Sequence, residues 1–126
     1  MRVVSSGAKA VAAGSRHTLM LKQDGSVWAT GYNEYGQLGD GSTSDRHTFV
    51  QVILDSVKIV AAGAFHSMAL MQDDSVWATG SNFYGQYGDG STKSRKTFVQ
   101  VSLHKNGARE IMRRHAYGCI FTSRAL

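Results

Sequence analysis

An all-β fold of short antiparallel strands is the fold class that this 126-residue sequence predicts. Three observations predict it. A long unit occurs twice in tandem, short runs of alternating apolar and polar residues lie between turn residues, and no segment has sustained helical periodicity. Fourteen glycines, no proline and 42% apolar residues also fit a globular protein rich in turns.

The repeat becomes evident when Ala8–Val52 is laid over Val57–Val101, because 30 of the 45 positions are identical without a gap. Its longest identical stretch, Ser26–Gly31, returns as Ser75–Gly80. A third copy begins and then loses the pattern, as repeats at a chain end often do. We therefore predict one domain, 1–126, with repeats at about 8–56 and 57–107 and a partial, degenerate repeat at 108–126.

Each unit is predicted to fold as four short strands, which in the first unit are Lys9–Gly14, His17–Lys22, Ser26–Gly31 and Thr48–Val52. Between the second and third strands lies an Asp-Gly hairpin turn, in which Gly25 can take a positive φ. Asp74 replaces that glycine in the second unit, and aspartate tolerates the left-handed region well enough to keep the turn. Four antiparallel strands in every 40–50 residues, roughly, are typical of a propeller blade. The predicted architecture is an incomplete β-propeller of about 2 to 2.5 blades.

Charge and cysteine content restrict the classes of protein. The net charge is +5, and most of it comes from residues 102–126, where five basic residues face only Glu110. Cys119 is the single cysteine, so an internal disulfide is excluded and a reducing compartment, cytoplasmic or nuclear, is favoured. The first residues are not expected to act as a signal peptide, because they contain no long apolar run, and no apolar run in the sequence is long enough to span a membrane. Peripheral association with a membrane complex is left open.

No catalytic, metal or cofactor site is predicted. The acidic residues of the repeat, such as Asp24 and Asp40, occupy turns. His17 and His66, at equivalent places in successive units, are too far from each other for a closed metal site. The glycine-rich loop 36–43 lacks the Gly-Lys-Ser/Thr ending of a phosphate-binding loop. These features favour structural roles, and we expect the protein not to be an enzyme.

Three motifs together resemble the repeats of the regulator of chromosome condensation family. They are Ala-Ala-Gly-x-x-His, an Asp-Gly-Ser-Val-Trp-Ala-Thr-Gly hairpin and an Asn-x-Tyr-Gly-Gln-Leu-Gly-Asp-Gly loop. In the first unit they stand at Ala12–His17, Asp24–Gly31 and Asn33–Gly41, and the second unit repeats them with few changes. The resemblance implies a seven-bladed propeller of roughly 350 residues at this repeat length, of which the chain holds about a third.

The resemblance also implies function by protein binding through the propeller loops. An isolated pair of blades leaves open sheet faces and edges, which need a cover. We expect that cover to be the rest of a longer chain, further copies of this chain, or a larger partner protein. The main hypothesis is therefore a noncatalytic interaction module or scaffold, a peripheral subunit or fragment of a larger assembly.

Two alternatives are a regulator of a small GTPase, of the nucleotide-exchange type, and attachment to chromatin or nucleic acid through the basic C-terminal end. The latter ranks lowest because no aromatic stacking platform accompanies those charges. Candidate partner-binding residues lie in the loops 32–46 and 81–96 and in the basic end. They are Tyr32, Glu34, Tyr35, Arg46, Phe83, Tyr84, Arg95, Lys96, Lys105, Arg109, Arg113 and Arg114.

Overall fold

Every regular element of the described residues is a β-strand. The computed structural model describes residues 7–83 and 92–101 and the backbone of Ile120–Phe121. The strands are β1 (Ala8–Ala13), β2 (His17–Lys22), β3 (Val27–Gly31), β4 (Arg46–Ile53), β5 (Val57–Ala62), β6 (His66–Met71), β7 (Val76–Gly80), β8 (Arg95–Val101) and β9 (Ile120–Phe121). They form two antiparallel sheets, ordered β4-β3-β2-β1-β9 and β5-β6-β7-β8. The predicted all-β fold of four-stranded antiparallel units is confirmed.

The first sheet contains a fifth strand that the repeat pattern did not predict. β9 pairs antiparallel with β1, with Phe121 opposite Ala12 and Ile120 opposite Ala13. An edge strand presents unpaired N–H and C=O groups, and pairing with β9 satisfies part of that edge. The second sheet keeps the predicted four strands.

The hairpin turns between the second and third strands of each blade have the same form despite their different residues. Gly25 has a φ of 85°, and Asp74, at the equivalent position, has a φ of 70°. In each turn the backbone N–H of this residue donates to a carbonyl three residues earlier, at 3.0 Å. The prediction that aspartate keeps the turn is confirmed, because aspartate is among the side chains that best tolerate a left-handed backbone.

The main hydrophobic core lies between the two blades. Strands β2 and β3 alternate so that Leu19, Leu21, Val27 and Ala29 point towards the second blade, and all four are at most 1% exposed. The second blade contributes Val57, Val60, Ala62 and Ala69 to the same cluster. Burial of one such aliphatic side chain stabilises the fold by about 1.5–3 kcal/mol. The two blades are thus packed against each other through this cluster.

The β3–β4 loop of the first blade, residues 32–45, crosses to the second blade and seals this boundary. Leu38 at its centre is fully buried in the interblade core. Thr79 Oγ1 donates to the carbonyl of Gly36 at 2.7 Å, and Ser67 Oγ donates to the carbonyl of Gln37 at 2.6 Å. The loop of one repeat is therefore part of the packing of the next.

The up-and-down strand order gives the blades two distinct ends. The β1–β2 and β3–β4 connections of the first blade share one end, called the loop end below, as the 2.8 Å bond from the Tyr32 N–H to the Arg16 carbonyl shows. The β5–β6 and β7–β8 connections of the second blade lie at the same end. The tight β2–β3 and β6–β7 turns and the β4–β5 connection form the opposite turn end, where the Gln72 N–H donates to the Ser56 carbonyl at 2.8 Å.

Candidate interaction surface

Four aromatic rings contact one another at the loop end. Tyr32 and Tyr35 come from the first blade, and Phe65 and Phe83 come from the second. The ring centroid of Tyr35 lies 5.2 Å from that of Phe65, 6.0 Å from that of Phe83 and 6.5 Å from that of Tyr32. Phe83 is 59% exposed and Phe65 is 37% exposed. We call these four residues the aromatic patch; it spans the boundary between the blades.

Asn33 fixes the loop that carries the two tyrosines. Its side chain is fully buried, and its Nδ2 donates to the carbonyls of Ser42 and Ser44 at 3.0 Å each. Its Oδ1 accepts the backbone N–H of Leu38 at 3.0 Å. The flanking residues Tyr32 and Tyr35 are thus presented by a loop that side-chain hydrogen bonds hold in one conformation.

The β1–β2 and β5–β6 turns place Arg16 and Phe65 at this surface. The Tyr32 N–H donates to the Arg16 carbonyl and the Ser81 N–H donates to the Phe65 carbonyl, each at 2.8 Å. The guanidinium carbon of Arg16 lies 5.9 Å from the centroid of the Tyr32 ring, within the range of a cation–π interaction. Sequence reasoning did not select Arg16 or Phe65. The signal that could have found them is the up-and-down strand order, which places these turns beside the longer loops.

The charged groups around the aromatic patch are mixed but mainly basic. The Tyr32 hydroxyl donates to the Glu34 carboxylate, and this bond raises the pKa of the Tyr32 phenol. Lys93, two residues before β8, and Arg95 and Lys96, the first residues of β8, are exposed at the same end of the blades. The surface therefore combines apolar rings with a rim that is positively charged on one side.

Arg46 has a structural partner inside the first blade. Its Nε lies 2.8 Å from Oδ2 of Asp40. Burial raises the pKa of Asp40, but hydrogen bonds from Ser42, Arg46 and Asn33 outweigh this effect and leave the pKa below its ordinary value. The Asp40 side chain thus stays ionised and binds Arg46 to the loop.

The predicted partner-binding residues fall into three groups. Tyr32, Glu34, Tyr35 and Phe83 lie together in or beside the aromatic patch. Arg46 is paired within the first blade, and Arg95 and Lys96 lie at the edge of the surface on β8. The remaining predicted residues lie outside the described part of the chain: Tyr84, Lys105, Arg109, Arg113 and Arg114.

His17 has the structural, hydrogen-bonding role that its place in the repeat predicted. It is 3% exposed, and its Nε2 lies 2.9 Å from Oγ of Ser67 in the second blade. Burial lowers its pKa from 6.5 to about 4, although the backbone of His66 acts in the opposite direction. Within residues 7–83 and 92–101, no three His, Cys, Asp or Glu side chains gather in a group that could hold a metal ion. Nor does this part of the chain contain a helix long and apolar enough to cross a membrane.

Comparison with known families gives matches over most of both repeats. A profile of the regulator of chromosome condensation (RCC1) repeat matches residues 8–37 and 57–86, and a second profile of the same repeat matches residues 24–70. The X-linked retinitis pigmentosa GTPase regulator of Mus musculus is 49% identical over 45 residues, and that of Homo sapiens is 51% identical over 41 residues. These stretches are 36% and 32% of this chain but only 4% of each relative.

Solved structures with the same fold are larger. Human WBSCR16 superposes with a TM-score of 0.71 at 23% identity, over 82% of this chain and 27% of that chain. Prp20p from Saccharomyces cerevisiae, described with its binding to Gsp1p and histones, gives a TM-score of 0.62 at 22% identity, over 76% of this chain and 26% of its own. Yeast Prp20 bound to Kap60 gives a TM-score of 0.60 at 23% identity, over 74% of this chain and 24% of that chain. These likenesses show the fold, and the chain spans about a quarter of each propeller.

Proposed function

Because the chain belongs to the regulator of chromosome condensation repeat family, we propose that it is a noncatalytic protein-interaction module that binds through its loop end. The observation that supports this proposal is the aromatic patch. Soluble proteins normally scatter exposed aromatic side chains singly, whereas here four rings from two blades are in contact and two of them are substantially exposed. Tyrosine and other large aromatic residues are also enriched at interfaces.

The chemistry of the surface defines the partner that fits it. Phe65 and Phe83 present apolar area for a hydrophobic side chain of the partner. Arg16, Lys93 and Lys96 are exposed around the patch and would face carboxylates at the rim of the interface. We therefore propose a protein partner whose contact surface joins apolar and acidic residues.

The test compares three forms of the full chain as bait in the same cell extract, with bound proteins quantified by mass spectrometry. In the first variant both exposed phenylalanines are changed, Phe65→Ser with Phe83→Ser. The matched control is Gln23→Ser, which shortens an exposed side chain at the opposite end of the blades, outside both pockets. A partner retained by the wild type and the control but lost by the double variant supports the proposal. Identical sets of bound proteins for all three baits would contradict it.

A second candidate function is regulation of a small GTPase. The observation that favours it is the 49% and 51% identity, over 45 and 41 residues, to retinitis pigmentosa GTPase regulators. The measurement is the rate at which a fluorescent guanine nucleotide leaves a panel of small GTPases with and without the chain. Acceleration that Phe65→Ser with Phe83→Ser abolishes would place this activity at the loop end, and no acceleration of any member would exclude it for that panel.

Attachment to nucleic acid stays a separate prediction, because Lys105, Arg109, Arg113 and Arg114 lie outside the described residues. It requires affinity for duplex DNA that falls steeply with salt and is lost when these four side chains are neutralised. Binding that persists in the neutralised variant would contradict it.

A further inference from the structure

The two tryptophans of the chain occupy equivalent positions and make the same contacts at their indole edges. Trp28 Nε1 donates to Ser26 Oγ at 3.1 Å, and Trp77 Nε1 donates to Ser75 Oγ at 3.0 Å. Each serine hydroxyl in turn donates to an aspartate Oδ1 at 2.6 Å, that of Asp24 in the first blade and its equivalent in the second. Each blade thus holds a carboxylate close to its indole through one serine.

The blades differ at the face of the indole ring. In the first blade the ammonium Nζ of Lys22 lies 4.9 Å from the centroid of the Trp28 ring, which is a cation–π geometry. The second blade has Met71 at the position of Lys22. Among the described residues, none places a cation over the ring of Trp77.

The carboxylates respond to this difference. The pKa of Asp24 is lowered by its hydrogen bonds from Ser26 and also by the charge of Lys22. The pKa of Asp73 is lowered by its hydrogen bonds from Ser75, with no contribution from a cation. Asp73 is therefore an ionised carboxylate beside an indole, without the ammonium that accompanies the same pair in the first blade.

Trp77 also faces an open groove, which lies between β4 of the first blade and β7–β8 of the second. The groove has a volume of about 560 Å³, and its apolar lining includes Leu54 and Phe98, with Asp55 at one side. A smaller recess of about 220 Å³ shares Met71 and Trp77 with it and contains Asp73. Two exposed carboxylates, Asp55 and Asp73, and the ring of Trp77 thus line the groove and the adjoining recess.

From this arrangement we infer that the groove binds a lysine or arginine side chain of a partner protein, with the cation on the ring of Trp77 and between Asp55 and Asp73. The first blade provides the internal precedent, because Lys22 occupies the equivalent place on Trp28. Apolar residues next to the basic side chain of the partner would contact Leu54 and Phe98. This site lies on the flank of the blades and is distinct from the aromatic patch.

The first experiment titrates the full chain, labelled with ¹⁵N, with the peptide acetyl-Ser-Leu-Lys-Leu-Ser-amide. The chain has two tryptophans, so its spectrum contains two indole N–H signals, which the variant Trp77→Phe assigns. We expect the Trp77 signal to shift saturably while the Trp28 signal stays in place. The same peptide with norleucine for lysine should bind about fivefold more weakly, since it lacks the charge. Equal affinity of both peptides, or equal shifts of both indole signals, would overturn the inference.

A second experiment places a lysine of the chain itself on the Trp77 ring, where the cation of the partner is proposed to bind. Met71→Lys recreates in the second blade the Lys22 arrangement of the first and should abolish binding of the lysine peptide. The control Gln23→Lys adds the same charge at an exposed turn of the first blade, outside the groove, and should retain binding. Circular dichroism should show that both variants are folded. Unchanged peptide affinity in Met71→Lys would overturn the inference.

A third experiment tests the carboxylate. Asp73→Asn should lower the affinity for the lysine peptide about fivefold. Asp24→Asn, the same change beside Trp28, should leave that affinity unaltered. If the two variants behave alike, the cation does not lie at Trp77 and the inference fails.

Discussion

The imidazole of His17 in the first blade and the hydroxyl of Ser67 in the second are joined by a 2.9 Å hydrogen bond between Nε2 and Oγ. The hydroxyl has a single proton, which it gives to the carbonyl of Gln37 at 2.6 Å. It therefore accepts from the imidazole, so that Nε2 of His17 carries the proton. One serine thus links a strand and a loop of the first blade to the second blade.

We expect Ser67→Ala to lower the free energy of unfolding by about 1–3 kcal/mol, because it leaves a buried N–H and a buried carbonyl without their partner. The matched control is Thr18→Ala at the equivalent position of the first blade, which is only half-buried. Its effect should stay below about 1 kcal/mol. Urea unfolding followed by tryptophan fluorescence measures both, and equal losses in the two variants would contradict the assignment.

The stability of the chain should fall as the solution is acidified from pH 6.5 towards pH 4. Burial lowers the pKa of His17 from 6.5 to about 4, so in that interval the unfolded chain binds a proton that the folded chain does not. The contribution of His17 is fully present above pH 6.5 and declines as the pH falls. At pH 5 the loss should be about 2 kcal/mol relative to neutral pH.

The corresponding measurement is urea unfolding at several pH values for the wild type and two glutamine variants. In His17→Gln, the free energy of unfolding should change less between pH 6.5 and pH 4 than it does in the wild type. His47→Gln, at an exposed position on β4, should show the same dependence of the free energy of unfolding on pH as the wild type. A slope in His17→Gln equal to that of the wild type would show that another group is responsible.

Leu38→Ala should lower the free energy of unfolding by about 2–5 kcal/mol, because this side chain is fully buried between the blades and its loss leaves a cavity. Leu54→Ala removes the same atoms from a position that is 75% exposed and should change the stability by less than about 0.5 kcal/mol. Thermal unfolding by circular dichroism checks the pair. A small effect at Leu38 would mean that its loop does not pack against the second blade in solution.

Alanine substitutions at two glycines of the β3–β4 loop distinguish the cost of backbone strain from the cost of a steric clash with β8. Gly36 and Gly41 have φ values of 77° and 86°, so alanine is strained at either position. A Cβ on Gly36 would lie 2.5 Å from Cα of Lys96, whereas a Cβ on Gly41 would find nothing nearer than a methyl group of Thr97 at 3.8 Å. Gly41→Ala should cost about 1 kcal/mol and Gly36→Ala more than about 2 kcal/mol. Equal costs in urea unfolding would show that the loop and β8 are not in contact.

The local parts of the fold were predictable from the sequence because each depends on residues that are close in the chain. The alternation of Val27 and Ala29 with Trp28 and Thr30 specifies which side of β3 faces the core, and the Asp24-Gly25 pair specifies the turn. The tolerance of Asp74 for the left-handed backbone follows from the same local reasoning.

The contacts between blades were not predictable in the same way. The repeat pattern places Leu38 in a loop, and no neighbouring residue indicates that it enters the core of the other blade. The sequence predicts part of the aromatic patch, namely Tyr32, Tyr35 and Phe83, because these residues follow the third strand of each unit. Phe65 joins them only because antiparallel pairing brings a short turn to the same end, and that depends on tertiary structure.

Because of the β3–β4 loop, the segment that is repeated in the sequence does not coincide with the segment that packs together in the structure. Residues 32–45 are inherited with the first repeat, yet their carbonyls and Leu38 complete the second. Any insertion, deletion or exchange of a single repeat therefore disrupts two boundaries at once, and a transplanted repeat succeeds only if the recipient blade offers hydroxyls where Ser67 and Thr79 stand here. Selection on such an array acts on adjacent pairs, so a substitution in one repeat is constrained by the repeat that follows it.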